Sequence, residues 1–409
     1  MTSPIPDAFA AASAIANRLA DPQAVSMGAG RRRPQSLAGG SAGIALLYIE
    51  RARSGHGDWA TARSWLSVAA REPLSAGPNA NLFFGAPTLA FVTHAAADQS
   101  DKYTRALADL DAATITVTRR RLDDAHARIN RSDRPQLAEF DLIRGLAGLG
   151  TYHLRRHPDD DITRAVLAYL VRLTESLPGR DDGLPGWWTD VSPNGDASPD
   201  FPGGHGNLGM SHGIAAPFAL LTLSLRHGIV VDGHAEAIAR ICAWLDTWQQ
   251  HDPTGPWWPG FITLDQARSG RVDTTSRQRP SWCYGSAGLA RAHQLAALAT
   301  GDSDRQDTAE AAMLGCLRDP TQLDRLTDSG LCHGTAGLLQ AAWRMAHDAR
   351  NPGIAAELPA LTDRLLAELG AVPDDVEFLD GLAGIALALH TVGTDIVPSG
   401  PWDACLLLA

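Results

Sequence analysis

Two cysteines and a histidine in this chain stand where they could hold a metal. Cys283 lies in Trp282-Cys283-Tyr284-Gly285-Ser286-Ala287-Gly288, and Cys332 and His333 open Cys332-His333-Gly334-Thr335-Ala336-Gly337. Each cysteine sits two residues ahead of the first glycine of a Gly-x-x-Gly motif, and each motif runs into an apolar helical stretch. Two thiols and one imidazole from matching positions are the ligand set of a catalytic zinc site that keeps its fourth position open. In that position a bound thiol can lose its proton and serve as a nucleophile. The plainer reading, two small buried thiols and a helix-capping histidine, leaves the shared register unexplained.

Around this trio stand other candidates. His212 directly precedes Gly213, the position that Tyr284 and His333 occupy in their own copies of the motif. It reads either as a fourth ligand that closes the site or as a general acid/base facing an open one. Asp141, four residues ahead of Gly145, suits an orienting or proton-exchanging partner for His212, or an N-cap for the next helix. Arg279 suits stabilisation of a developing oxyanion, or a salt bridge to a surface carboxylate. His205, in Gly203-Gly204-His205-Gly206, reads as a loop residue. Cys242, Cys316 and Cys405 fall on outer helical stretches or the tail and read as structural.

Repetition is what brings these side chains together. The motif starts at Gly40, Gly85, Gly145, Gly213, Gly285, Gly334 and Gly381; the Gly85 copy has Thr88 and the Gly213 copy Ala216 in place of the second glycine. Ahead of the copies lie amphipathic stretches, such as Ala8 to Leu19, Ile162 to Leu177, Ala235 to Trp248 and Leu361 to Leu369. The stretches after the glycines are more uniformly apolar. Half-wet outer helices thus alternate with buried inner ones, and seven such pairs bury both sides of the inner helices best by closing on themselves. The expected fold is all-α: an α/α toroid of seven outer-inner helix pairs, one domain over residues 1–409 with an insert around 100–135. The best β-like run, Thr114 to Thr118, reads as part of that helical insert. In a toroid the residues ahead of each first glycine meet at one mouth, which gathers Cys283, Cys332, His333, His212 and Asp380, with Asp141 a turn away. The loops holding Leu184-Pro185-Gly186-Trp187-Trp188 and Pro256-Trp257-Trp258-Pro259-Gly260 would wall that mouth.

Composition excludes several classes. The 409 residues carry a net charge of −11, and the basic triplets Arg31 to Arg33 and Arg119 to Arg121 are too short for a nucleic-acid face. They read as solvated surface or as contacts for an acidic peptide. Five sparse cysteines make no disulfide framework. The opening residues Met1 to Asp7 lack a signal-peptide pattern, and no stretch approaches the roughly 20 apolar residues of a membrane helix. A reducing cytoplasm is the expected location.

These motifs resemble the lanthionine synthetase C-like family over nearly the whole chain. The resemblance rests on Asn207-Leu208-Gly209-Met210-Ser211-His212-Gly213, Trp282-Cys283-Tyr284-Gly285 and Cys332-His333-Gly334, supported by Leu184-Pro185-Gly186-Trp187 and Trp258-Pro259-Gly260. It implies a seven-plus-seven helix toroid with one zinc at the mouth. It also implies a lanthionine synthetase, which adds peptide cysteine thiols to dehydroalanine or dehydrobutyrine to form thioether rings. Cys283, Cys332 and His333 would then hold zinc, with His212 as acid/base and Asp141, Arg279 and Tyr284 around it. The chain looks like the free-standing cyclase type, so the implied partners are a dehydrated ribosomal precursor peptide and a separate dehydratase. Two alternatives stay open: a relative that adds glutathione or another small thiol to dehydrated residues, against which Tyr284 weighs, and a non-catalytic peptide-binding toroid. A glycosidase built on Asp141 and Asp380 leaves the cysteines unexplained.

Overall fold

A computed structural model describes residues 2–25, 33–97, 101–371, 375–398 and 402–409; Arg31 and Arg32 of the first basic triplet lie outside the described residues. Seven helices are outer ones: α1 (Pro6–Arg18), α3 (Trp59–Ala69), α5 (Thr104–Asn130), α8 (Asp161–Leu173), α10 (His234–Thr247), α13 (Ser303–Arg318) and α16 (Gly353–Glu368). Their sequences explain this position. In α8, Ile162, Val166, Leu170 and Leu173 recur at helical spacing and are buried, while Asp161 and Arg164 are exposed. Asp58 and Asp302 start α3 and α13 by accepting the Thr61 and Arg305 backbone N–H groups at 2.8 and 3.0 Å.

The inner helices are α2 (Ser41–Arg53), α4 (Ala86–Ala96), α7 (Leu146–Arg156), α9 (Ala215–Arg226), α12 (Ser286–Thr300), α15 (Thr335–Asp348) and α17 (Leu382–Thr394). They are buried almost all round; in α17 every residue from Leu382 to Gly393 is out of solvent. Each of the larger apolar side chains so buried contributes about 1.5–3 kcal/mol. The short helices α6 (Leu137–Phe140), α11 (Leu264–Ser269) and α14 (Pro320–Leu323) lie in connections. So do four short strands: β1 (His205–Asn207) pairs antiparallel with β4 (Phe261–Thr263), and β2 (Gln250–Asp252) with β3 (Gly255–Trp257). The β-like run Thr114 to Thr118 is helical, within α5. Its Thr114 and Thr118 hydroxyls donate to the carbonyls of Leu110 and Thr114, one turn back, at 2.8 and 2.9 Å.

The ring closes. Neighbouring inner helices touch in the order α2, α4, α7, α9, α12, α15, α17, and α17 touches α2 again. Each outer helix packs on the inner helix that precedes it in the chain, and α1 packs on α17. The Ile5 N–H donates to the Val392 carbonyl at 3.1 Å at that last junction. The fold is an α/α toroid.

A belt of backbone hydrogen bonds runs round one mouth through the segments ahead of the inner helices. Leu37 N–H donates to Phe83 O at 3.0 Å, Leu142 to Ser211 at 3.2 Å, Met210 to Cys283 at 2.9 Å, Cys283 to Cys332 at 3.1 Å, Cys332 to Leu379 at 2.9 Å and Leu379 to Ala38 at 3.1 Å. The second glycine of each motif makes room for this belt. A Cβ on Gly43, Gly148, Gly288, Gly337 or Gly384 would lie 1.9–2.1 Å from the carbonyl oxygen six residues earlier. In the second copy Thr88 takes the glycine's place, and its hydroxyl donates to the corresponding carbonyl, Leu82 O, at 2.7 Å.

Residues 402–408 fill the middle of the ring and are buried. The Trp282 indole N–H donates to Leu406 O at 2.9 Å, and Arg291 Nε to Leu408 O at 2.9 Å. Asp403, fully buried, takes two bonds from Arg344, at 2.6 and 2.7 Å, and one from Gln340 at 2.7 Å.

Candidate active site

Cys283 and Cys332 occupy equivalent places on the belt, ahead of α12 and α15, and Cys283 N–H donates to Cys332 O. Their sulfurs and one His333 ring nitrogen lie within 4.8 Å of one another, the one His/Cys/Asp/Glu group with metal-ligand geometry found among the described residues. Cys283 is buried; Cys332 and His333 are half-buried and face the mouth. The three share protons. Hydrogen bonding from Cys332, then from His333, holds the Cys283 thiol well below its ordinary pKa against the opposing effect of burial. The same contact with Cys283, then burial, pushes the Cys332 thiol up, and the hydrogen bond to Cys283 raises His333. His333 Nε2 faces Asp328 Oδ2 at 3.5 Å and Asp380 Oδ1 at 3.8 Å. Carboxylates on one imidazole nitrogen leave the other as the donor to a metal. The donor set suits a tetrahedral, thiophilic ion with one position left for a ligand.

The other free thiols are unlike these. Cys242 on α10 and Cys316 on α13 are raised by burial to about 11 and about 12, and Cys405 in the central tail is also raised by burial. None belongs to the cluster.

Beside the trio stands a second unit. His212 Nδ1 lies 2.6 Å from Asp141 Oδ2. Asp141 is fully buried, whereas the His212 side chain keeps 29 % of its surface open to solvent. The capping reading of Asp141 is not realised: Gly145 is the N-cap of α7, and no side chain caps that helix. Oδ1 accepts the N–H groups of Arg144 and Gly145 at 2.6 and 2.8 Å ahead of α7, and Oδ2 holds the imidazole. His212 is not part of the metal-ligand group.

Tyr284 follows Cys283, and its hydroxyl oxygen accepts a hydrogen bond from Asn207 Nδ2 at 3.0 Å. Burial raises its pKa to about 12. Its ring lies where a Cβ on Gly209 would stand, 2.5 Å away, which explains that glycine. Arg279 is half-buried, and its guanidinium makes no ion pair among the described residues, so the surface salt bridge is not formed. Its carbonyl accepts the Ser281 N–H at 2.8 Å. Ser281 Oγ, in turn, lies 3.6 Å from Cys283 Sγ and donates to Tyr284 O.

The tryptophan loops reach this site only at one edge. Trp187, Trp188, Trp257 and Trp258 are at most 2 % exposed, and Trp258 donates to Leu245 O of α10 at 3.1 Å. They pin the loops down instead of lining the mouth. The contribution to the site is Gly260, whose carbonyl accepts the Leu208 N–H at 2.9 Å. Sequence reasoning passed over Ser281, Asp328 and Asn207 as site residues, and His205 proves fully buried on β1 rather than loose in a loop. The adjacency of His205 and Asn207 to the His212 motif was the available signal.

Comparison with known proteins gives the family and the fold. A family model described as lanthionine synthetase C-like protein matches residues 32–407. The chain is 22 % identical over 259 residues to the nisin biosynthesis protein NisC of Lactococcus lactis subsp. lactis, a match spanning 61 % of this chain and 60 % of that protein. The solved structure of nisin cyclase superposes with a TM-score of 0.76 at 18 % identity, covering 98 % of this chain and 96 % of that one. That likeness is one of fold.

Proposed function

The chain belongs to the lanthionine synthetase C-like family, and on that premise we propose that it closes thioether rings in a dehydrated ribosomal peptide. A cysteine thiol of the peptide adds across the double bond of a dehydroalanine or dehydrobutyrine residue. The S–C bond forms at the β-carbon, the C=C double bond is lost, and a proton reaches the α-carbon. No oxidant or reductant is needed. The observation that carries this reading is the meeting of the Cys283, Cys332 and His333 cluster with the His212–Asp141 pair at one mouth of the ring.

Zinc, one per chain, is the ion this donor set would hold, and when bound it would acidify the peptide thiol while two cysteine ligands keep the sulfur electron-rich. The remaining work falls to the chain's own groups. Asp141 accepts from His212 Nδ1, which fixes the tautomer, leaves Nε2 for proton exchange at the peptide's α-carbon and steadies the imidazolium. Arg279, a cation with no ion pair among the described residues, meets the negative charge that gathers on the peptide carbonyl as the thiol adds. Tyr284 stands beside it as a hydrogen-bonding group. The dehydrated residues must come from a separate dehydratase, and free thiols of this kind suit a reducing compartment such as the cytoplasm.

Elemental analysis of the purified protein tests the reading first. About one zinc per chain is expected, lost in Cys283→Ala and in Cys332→Ala. Incubation with a dehydrated peptide should then give rings of unchanged mass and fewer free thiols. A well-folded, metal-free wild type would sink the reading. A glutathione adduct without any ring would replace the peptide thiol by a small one.

A further inference from the structure

We infer that Asn207 and His205 are positioning residues that turn the Tyr284 hydroxyl into a hydrogen-bond donor toward the reacting peptide. The inference deepens the cyclase reading and rests on it for its kinetic consequence. It follows from the direction of three consecutive hydrogen bonds and of a fourth that orients the Asn207 amide.

His205 and Asn207 both lie on β1, at 0 % and 1 % exposure. His205 Nδ1 is 2.8 Å from the Val191 carbonyl oxygen. A carbonyl only accepts, so Nδ1 carries the ring's hydrogen. Burial lowers the His205 pKa to about 4, so at neutral pH the ring is uncharged and Nε2 can only accept. Asn207 Oδ1 accepts the Gly209 N–H at 3.0 Å, which fixes the orientation of its amide. Its two remaining hydrogens go to His205 Nε2 at 3.2 Å and to the Tyr284 hydroxyl oxygen at 3.0 Å. Donors and acceptors match at every link, from Val191 O to Tyr284.

The last link decides the chemistry. The Tyr284 oxygen receives a hydrogen from Asn207, so the phenol's own hydrogen points elsewhere. Tyr284 is half-buried next to Cys283 of the mouth cluster, so a peptide seated at that cluster would lie within reach of the phenol's free hydrogen. There the O–H can donate to the carbonyl oxygen on which charge develops during addition. An acceptor in place of the Asn207 amide would capture that hydrogen and reverse the phenol. The frame is rigid: Gly209 leaves space for the ring, since a Cβ there would lie 2.5 Å from it, and β1 is held by β4.

Asn207→Asp tests this directly, because aspartate keeps the acceptor for Gly209 but removes the donor to Tyr284. With zinc content and melting temperature kept, kcat for ring closure should fall about 10²-fold, the loss of one preorganised donor, with KM little changed. Tyr284→Phe should fall equally, and the double variant should be no worse than either single one. His205→Gln, which retains an acceptor for Asn207, should keep most activity, while His205→Leu should not. Multiplicative losses in the double variant, or wild-type kcat in Asn207→Asp, would overturn the inference. A second arm needs no activity: the ¹⁵N spectrum of imidazole-labelled protein should show His205 neutral with hydrogen on Nδ1. Hydrogen on Nε2 would overturn the relay. A wild type that forms no ring would count against the cyclase reading, and the His205 tautomer would still decide the relay.

Discussion

Asp141 holds two jobs in one carboxylate, and substitution can separate them. Asp141→Asn keeps Oδ1 for the Arg144 and Gly145 N–H groups but replaces the charged partner of His212. Stability should stay near wild type, while kcat for ring closure falls by about 10²–10⁴, the usual contribution of a positioned acid/base. Asp141→Ala should lose the same activity and about 1 kcal/mol of stability besides, from the hydrogen bonds lost ahead of α7. Urea unfolding of the two variants beside their kinetics checks this; equal stability would mean those bonds are idle. His212→Asn should keep its zinc and lose ring closure to a similar extent. Full activity in that variant would remove His212 from the mechanism. The cysteines, His333 and His212 were legible because their register relative to a glycine is local. Asn207 was not, since only the path of loops from separate copies brings it against Tyr284, and Asp328 was not, since the turn of its own loop decides whether it meets His333.

At the level of elements, the second glycine of each motif ties packing to chemistry. Gly337 crowds Leu331 O, and the next residue is Cys332; Gly288 crowds Trp282 O, and the next residue is Cys283. Gly337→Ala would place a Cβ 1.9 Å from that carbonyl, so the segment must move. The expected cost is about 1–3 kcal/mol, with zinc bound more weakly as Cys332 shifts. Thr88→Val, at the same place in a copy without site residues, should cost about 1 kcal/mol for its buried hydrogen bond and leave zinc content intact. Competition with a chelator, run beside thermal melts, separates the two outcomes; equal zinc loss in both would mean the glycines serve only the fold. Glycine spacing and helical periodicity made the seven inner helices readable. They did not say which inner helix each outer one covers, because periodicity gives a face and not its neighbour. The tryptophans misled for a related reason: a ring in a loop can line a mouth or anchor the loop, and burial against α10 decides for the anchor.

For the whole molecule, four buried histidines make stability depend on pH. Burial lowers His153, His293 and His390 to about 3 and His205 to about 4. In the unfolded chain these groups titrate near 6.5. Between that pH and about 4 the unfolded state takes up protons that the folded state refuses, so stability is full above about 6.5 and declines as pH falls. The urea midpoint should drop steadily from pH 7 to pH 4.5. A flat profile would mean that these rings are protonated in place. Closure of the ring was legible as a need, since uniformly apolar inner helices require cover on both sides. The plug of residues 402–408 was not, because a short apolar tail carries no periodicity to say where it docks.

The junction of α1 with α17 gives this fold an order in time. Among the described α-helices, α1 is made before the others, and its partner α17 follows all of them. Until α17 emerges, the apolar face of α1, with Ala8, Ala12 and Ile15, lacks its main packing partner. The belt at the mouth stays open at the same joint, where Leu379 reaches Ala38. A nascent chain can therefore stack its middle helices as they appear, but the belt round the mouth closes only once α17 has emerged.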